Sequence, residues 1–235
     1  MAALDLILEG IKQAVLLLFT GDREVWEVTL LTIKVSGVAT LISVGFGIPL
    51  GVLLALASFP GRKFVISLIN TGMGLPPVVA GLVVTVFLWR NGPLGVIRLL
   101  YTPSAMVLAQ TFIAAPIVIG LTLAAIGGLN PKLRLQLLAL GASRAQLLWA
   151  LLREARLSLL AAVMAGFGGV ISEVGASMMV GGNIRGQTRV LTTATVMEVS
   201  KGNFDVAFAL STILLAITYG VTLALTPLQQ RRRAS

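Results

Sequence analysis

Apolar residues along the chain gather into five long runs, at roughly 27–57, 64–89, 105–126, 157–180 and 205–226. Each meets the about 20 residues that an α-helix needs to cross a hydrocarbon layer. Polar or turn-forming linkers separate them: Pro60-Gly61-Arg62-Lys63, then 90–104 with Gly92-Pro93, then 130–157, then 181–203. The first run is overlong and contains Pro49, which predicts a helix that tilts, kinks or extends past the lipid. Ahead of it, 4–19 carries Asp5, Glu9 and Lys12, too short and too charged for a span. It reads as an interfacial amphipathic helix. An acidic start without a small-residue cleavage site does not fit a secretory signal. The pattern thus predicts an all-α integral membrane protein. Its expected parts are an extracytoplasmic or interfacial segment at 1–24, a transmembrane domain at 25–229 and a basic tail at 230–235.

The longest interruption, 130–157, has a pattern of its own. It carries Lys132, Arg134, Arg144, Arg153 and Arg156 against one acid, Glu154. Leu133, Leu137 and Leu140 keep helical spacing before Gly141-Ala142-Ser143, and Leu147, Leu148 and Leu151 keep it after. Two short amphipathic helices joined by a glycine turn are predicted. Such a piece either lies on lipid headgroups with its arginines at anionic lipid, or inserts into a partner. Residues alone leave both readings open.

Composition supports the membrane class. Of 235 residues 57% are hydrophobic and only 11% charged, where ordinary globular chains are nearer about a quarter charged. The formal net charge of +9 changes meaning once it is located. Arg62, Lys63, the five basic residues of 130–157 and the Arg231, Arg232, Arg233 tail fall on one side if the runs alternate across the membrane. The basic residues of the other side are matched by acids. The positive-inside rule therefore places the first side in the cytoplasm, with the N-terminus outside and the C-terminus inside. The charge is topology, which removes a nucleic-acid reading. With no cysteine and no histidine, disulfides, His-ligated metals and His-dependent triads are excluded.

Inside the runs, Ser43, Gly47, Gly51 and Ala55 recur every four positions, as do Gly168, Ser172 and Ala176. Small residues at this spacing let helices approach closely in lipid. Pro76-Pro77 and Pro116 remove backbone donors within the membrane, giving either a kinked structural helix or a break that lines a pathway. Lys34 and Glu173 are the charged residues inside the runs, away from their ends. An unpaired intramembrane charge costs roughly 3 kcal/mol on insertion scales, so an ion pair between the two is expected, ahead of a transport role. The 181–200 segment mixes Gly-Gly, Asn183, Arg185, Arg189 and several threonines. Those groups suit a tetrahedral oxyanion, but a solvated re-entrant loop with a short helix is the favoured reading. Its 181–188 portion has phosphate-loop spacing, yet Gln187 replaces the lysine and no strand leads in, so nucleotide binding here is rejected.

The 130–157 stretch resembles the cytoplasmic coupling loop of ABC importer permeases. Gly141-Ala142-Ser143-Arg144 matches its glycine core, while the Glu-Ala-Ala positions fall on Leu135, Gln136 and Leu137 and the terminal proline is absent. The stretches 70–82, Gly92-Pro93-Leu94-Gly95, 101–106 and 171–184 resemble tungstate-specific permeases, and related molybdate permeases share a similar pattern near the fourth run. The resemblance implies a five-span, type I ABC importer permease fold. It also implies a homodimer in the cytoplasmic (inner) membrane, a separate cytoplasmic ATPase that binds ATP and Mg, and an extracytoplasmic tungstate-binding protein. No catalysis and no cofactor are implied for this chain. Leu140, Gly141, Ala142, Ser143 and Arg144 become the expected ATPase contact. Pro76, Pro77, Glu173, Gly175, Ser177 and Asn183 become expected pathway or gate positions. Molybdate, and more distantly sulfate, are the competing substrates; from another class, an ATP-independent secondary transporter competes, against which stand the lack of an internal repeat and of an acidic relay beyond Glu173.

Overall fold

The structure, a computed structural model, describes residues 10–14, 16 and 22–230. Asp5, Glu9, most of the expected interfacial helix and the arginines at 231–233 lie outside the described residues. From residue 22 onward the described residues form the helices α1 (Arg23–Leu56), α2 (Arg62–Met73), α3 (Pro77–Leu88), α4 (Pro103–Gly127), α5 (Pro131–Ala139), α6 (Arg144–Ile171), α7 (Gly175–Gly181), α8 (Leu191–Lys201) and α9 (Phe204–Gln230). There is no strand among the described residues. Four of these helices are long and apolar enough to cross a membrane, α1, α4, α6 and α9. The bent pair α2 and α3 makes a fifth when taken together.

Local chemistry sets the boundaries. Asp22 caps α1 by accepting the Val25 N–H at 3.0 Å, with Glu24 in the first turn where the helix dipole favours an acid. Pro103 and Pro131 occupy first-turn positions of α4 and α5 behind the caps Thr102 and Asn130. Pro49 is accommodated inside α1, which runs 34 residues. At about 1.5 Å per residue this exceeds the about 30 Å hydrocarbon thickness.

The core is built on α1 and α4, which run parallel. Ser43 Oγ donates to the Thr111 carbonyl at 3.4 Å. A Cβ on Gly47 would sit 3.0 Å from Val118 Cγ1, and one on Gly51 would sit 2.6 Å from Thr122 Cβ. The first small-residue repeat thus faces α4. The second does not form a packing stripe. Gly168 faces open space, Ser172 is an exposed helix cap and Ala176 belongs to α7. Gly166 meets α4 instead, where a Cβ would lie 2.9 Å from Val118 Cγ2.

Two runs are divided differently from the expectation. The run at 64–89 is two helices of 12 residues bent by 106°. The run at 157–180 begins earlier, since α6 starts at Arg144, and ends earlier, at Ile171. The second short amphipathic helix of 130–157 is therefore the first part of a membrane helix. Nothing between Leu147 and Leu159 interrupts its apolar face, so the helix has no reason to stop.

Candidate functional site

The turn at 140–143 is fixed from both sides. Leu140 closes α5, and Gly141 has φ +78°, a left-handed conformation natural to glycine. The Ala142 N–H donates to the Leu137 carbonyl and the Gly141 N–H to that of Leu138, both at 3.0 Å. This pair of bonds is the Schellman motif, which satisfies the carbonyls left over at a helix end. Ser143 then starts α6 with a capping box. Its Oγ accepts the Gln146 N–H at 3.3 Å and its own N–H donates to Gln146 Oε1 at 2.8 Å.

This rigid turn exposes apolar surface. Leu133 and Leu137 pack inward on a cluster formed by Val52, Ile126, Leu147 and Leu151. Leu135, Leu138, Leu148 and Trp149 are exposed, with the Arg153 guanidinium 5.1 Å from the Trp149 ring centre. Leu140, which keeps helical spacing with Leu133 and Leu137, does not share their packing and is 84% exposed. The cause is local: α5 stops at Ala139, and the turn carries Leu140 outward.

At the other end of α6, about 42 Å away by helix rise, two chain breaks meet. Pro76 and Pro77 have no N–H to continue α2, and Pro77 suits the first position of α3. After Ile171, Glu173 turns back on the chain and its Oε1 accepts the Ala176 N–H at 2.8 Å, opening α7. Gly175 has no room for a side chain, since a Cβ would fall 2.7 Å from Val78 Cγ2. One on Gly81 would fall 2.6 Å from the Ala176 Cα. Buried Ser177 accepts a hydrogen bond from Gln110 Nε2 of α4 at 3.3 Å. Pro76 and Pro77 themselves are exposed. Of the expected pathway positions, Pro76, Pro77, Glu173, Gly175 and Ser177 thus share one place. Asn183 does not. It lies beyond the C-terminal end of α7 with φ +51°, and its Oδ1 is buried without a hydrogen-bond partner.

Lys34 and Glu173 do not form the expected ion pair. Lys34 is exposed and lines an open cavity of about 350 Å³ with Glu27, Gln187 and Arg189. The Glu173 carboxylate is held by backbone N–H, which compensates a buried charge without a cation. The arginines of the 181–200 segment are likewise occupied. Glu24 takes both Arg185 and Arg189, the latter at 3.0 Å. Thr188 donates to the Gly181 carbonyl and accepts the Ile184 N–H, so the loop with phosphate-loop spacing closes on itself.

Three contacts escaped the sequence reading: Gln110 to Ser177, Thr192 Oγ1 to the Glu173 carbonyl at 2.8 Å, and Thr32 Oγ1 accepting the Leu191 N–H at 2.9 Å. One signal pointed their way. Thr29, Thr32, Ser36, Thr40 and Ser43 recur at helical spacing, and all five are buried.

Comparison with known proteins bears on these features together. The family described as binding-protein-dependent transport system inner membrane components matches residues 47–234. A tungstate uptake system permease protein of Peptoclostridium acidaminophilum is 37% identical over 227 residues, 97% of this chain and 100% of the relative. A probable anion ABC transporter permease protein of Haloferax volcanii is 41% identical over 200 residues, 83% of this chain and 86% of the relative. Among solved structures, an alginate-importing bacterial ABC transporter aligns with a TM-score of 0.77 at 18% identity, covering 94% of this chain and 84% of that one. The inward-facing MetNI methionine ABC transporter aligns with a TM-score of 0.70 at 21% identity, covering 88% and 94%. At these identities the structural likeness establishes the fold alone.

Proposed function

Because the chain belongs to the family of binding-protein-dependent transport system inner membrane components, we propose that it forms the membrane pathway of an ATP-driven importer for tungstate. The observation that carries this reading is the match with a tungstate permease over essentially the full length of both chains. A second tungstate uptake permease, from Campylobacter jejuni, is 35% identical over 92% of this chain. A molybdenum permease of Escherichia coli is 29% identical over 72%.

Two copies of the chain enclose the pathway, and a separate cytoplasmic ATPase binds ATP and Mg. The turn at 140–143 is the docking element. A docked turn transmits force only if it is stiff and gripped by packing on both sides. Its support is the double capping around Gly141 and the exposed Leu135, Leu138, Leu140 and Trp149. ATP binding draws the two docked turns together, and α6 carries that displacement to the broken helices at Pro76-Pro77 and Glu173-Gly175. The concentration of basic residues at Arg62, Lys63 and 130–157 supports a cytoplasmic position for this end and an N-terminus outside. An extracytoplasmic binding protein delivers the oxyanion to the other face.

Reconstitution of the chain with its ATPase in vesicles tests the reading. ATPase activity is expected to rise with binding protein loaded with tungstate, less with molybdate and least with sulfate. No stimulation by any of the three overturns it.

A further inference from the structure

The hairpin between α3 and α4 carries two arginines that nothing in the transport reading uses. A tight turn forms it: the Gly92 N–H donates to the Trp89 carbonyl at 2.7 Å and the Leu94 N–H to that of Phe87 at 2.9 Å. Gly92 and Gly95 are required there, because a Cβ at either would overlap the carbonyls of Val86 and Trp89 respectively. The turn opens a cavity of about 750 Å³ whose lining includes Trp89, Arg90, Val96, Arg98 and Tyr101.

Neither guanidinium has a side-chain partner among the described residues, and no carboxylate lines the cavity. Sequence makes this emphatic, since no acid occurs anywhere between Glu27 and Glu154. Two unneutralised arginines flanking one cavity call for an anion from outside the chain. The hairpin is also strongly apolar at its surface. Val96 is 91% exposed, and Trp89, Leu94 and Ile97 are exposed beside it. A surface meeting only water or a dissociable protein would leave these side chains hydrated through most of a transport cycle, at about 25 cal/mol per Å². Tryptophan, tyrosine and arginine together with exposed aliphatic side chains are what a lipid interface selects.

We propose that the 89–101 hairpin is an anionic-phospholipid site, in which Arg90 and Arg98 hold the headgroup phosphate and Val96 and Ile97 enter the acyl boundary. This rests on membrane insertion of the chain and not on the tungstate reading.

The chain has no cysteine, so Val96→Cys offers one nitroxide site per copy of the chain, and the parent transporter labelled in parallel subtracts any label on other subunits. Reconstituted, that label should be accessible to oxygen and shielded from an aqueous chromium complex. Native mass spectrometry of the complete transporter should show retention of phosphatidylglycerol over phosphatidylcholine. That preference should fall about fivefold for each arginine removed in Arg90→Gln and in Arg98→Gln, and tungstate should leave it unchanged. The proposal is overturned if the label is fully aqueous, or if the double variant keeps its lipid preference. Displacement of the lipid by tungstate also overturns it, because the site is then one for free oxyanion. So does a double variant that loses only stimulation by loaded binding protein, which makes the hairpin a protein contact. Failure of substrate-stimulated ATPase with lipid retention intact removes the importer reading and leaves this one standing.

Discussion

Gly81 of α3 lies against the backbone of Ala176 in α7, so closely that a Cβ on the glycine would fall 2.6 Å from the Ala176 Cα. Backbone, unlike a side-chain tip, cannot step aside. The two short helices that start at the chain breaks are therefore registered on each other, and any movement of one carries the other.

Replacing Gly81 with alanine should separate α3 from α7 and cost about 1–3 kcal/mol, the usual range for overpacking. Thermal unfolding in detergent measures it. Gly45→Ala, where the new methyl meets open space, should leave the melting temperature near that of the parent. Equal melting temperatures for the two variants would show that the α3–α7 contact is looser than the structure has it.

The separation of Lys34 from Glu173 makes a second prediction. With the Glu173 carboxylate held by the Ala176 N–H and Lys34 exposed, Lys34→Met and Glu173→Gln should act independently. Their effects on stability should add to within about 0.5 kcal/mol, the margin seen for uncoupled sites. A double variant markedly more stable than that sum would restore the ion pair.

Acid sensitivity should have an identifiable contribution from the C-terminal end of α8. Glu198 accepts from Lys201 Nζ at 2.8 Å and from Asn203 Nδ2 at 2.7 Å. First Lys201 and then Asn203 hold its carboxyl below the ordinary carboxylate range. A lowered native pKa means that the unfolded chain binds the proton more readily, so the stabilisation is complete above the unfolded value of about 4.3. It is lost as pH falls from there through the lowered native value. The melting-temperature advantage over Glu198→Gln should thus hold at pH 7 and shrink below about pH 4. An advantage that persists unchanged at low pH would assign it to shape and not to charge.

How far these relationships could be read in advance depends on their range along the chain. The five apolar runs and the turn at Gly141 are local patterns, and hydrophobic period and glycine chemistry report them directly. Pro76-Pro77 announced a break but not its 106° angle, which depends on where α3 docks on α7. Glu173 was legible as a costly charge. A charge there suggests a cation across the bundle, whereas the compensating group lies three residues on, at Ala176. Gly81 carried no signal, because a lone glycine in an apolar run says nothing about what lies opposite it. The end of α6 at Ile171 was hidden by the apolar residues of α7, which continue the hydropathy past the break.

Gly141 is the position at which insertion and the proposed coupling can be tested apart. Its φ of +78° costs an L-residue roughly 1–2 kcal/mol, less for aspartate, which tolerates this conformation better than most. Apart from Gly141 itself and its chain neighbours, no atom lies within 4 Å of where its Cβ would be. Gly141→Asp should therefore leave the membrane helices folded and the protein inserted, while placing a charge in the middle of the exposed leucines. If the turn is the ATPase contact, the ATPase should no longer co-purify with the variant and uptake should be lost. The same measurement on Gly127→Ala, a helix-end glycine whose Cβ likewise meets open space, should show ATPase retained. Uptake at the parental rate in Gly141→Asp would mean that force enters this chain elsewhere, and the leucines at 135, 138 and 140 would need another occupant.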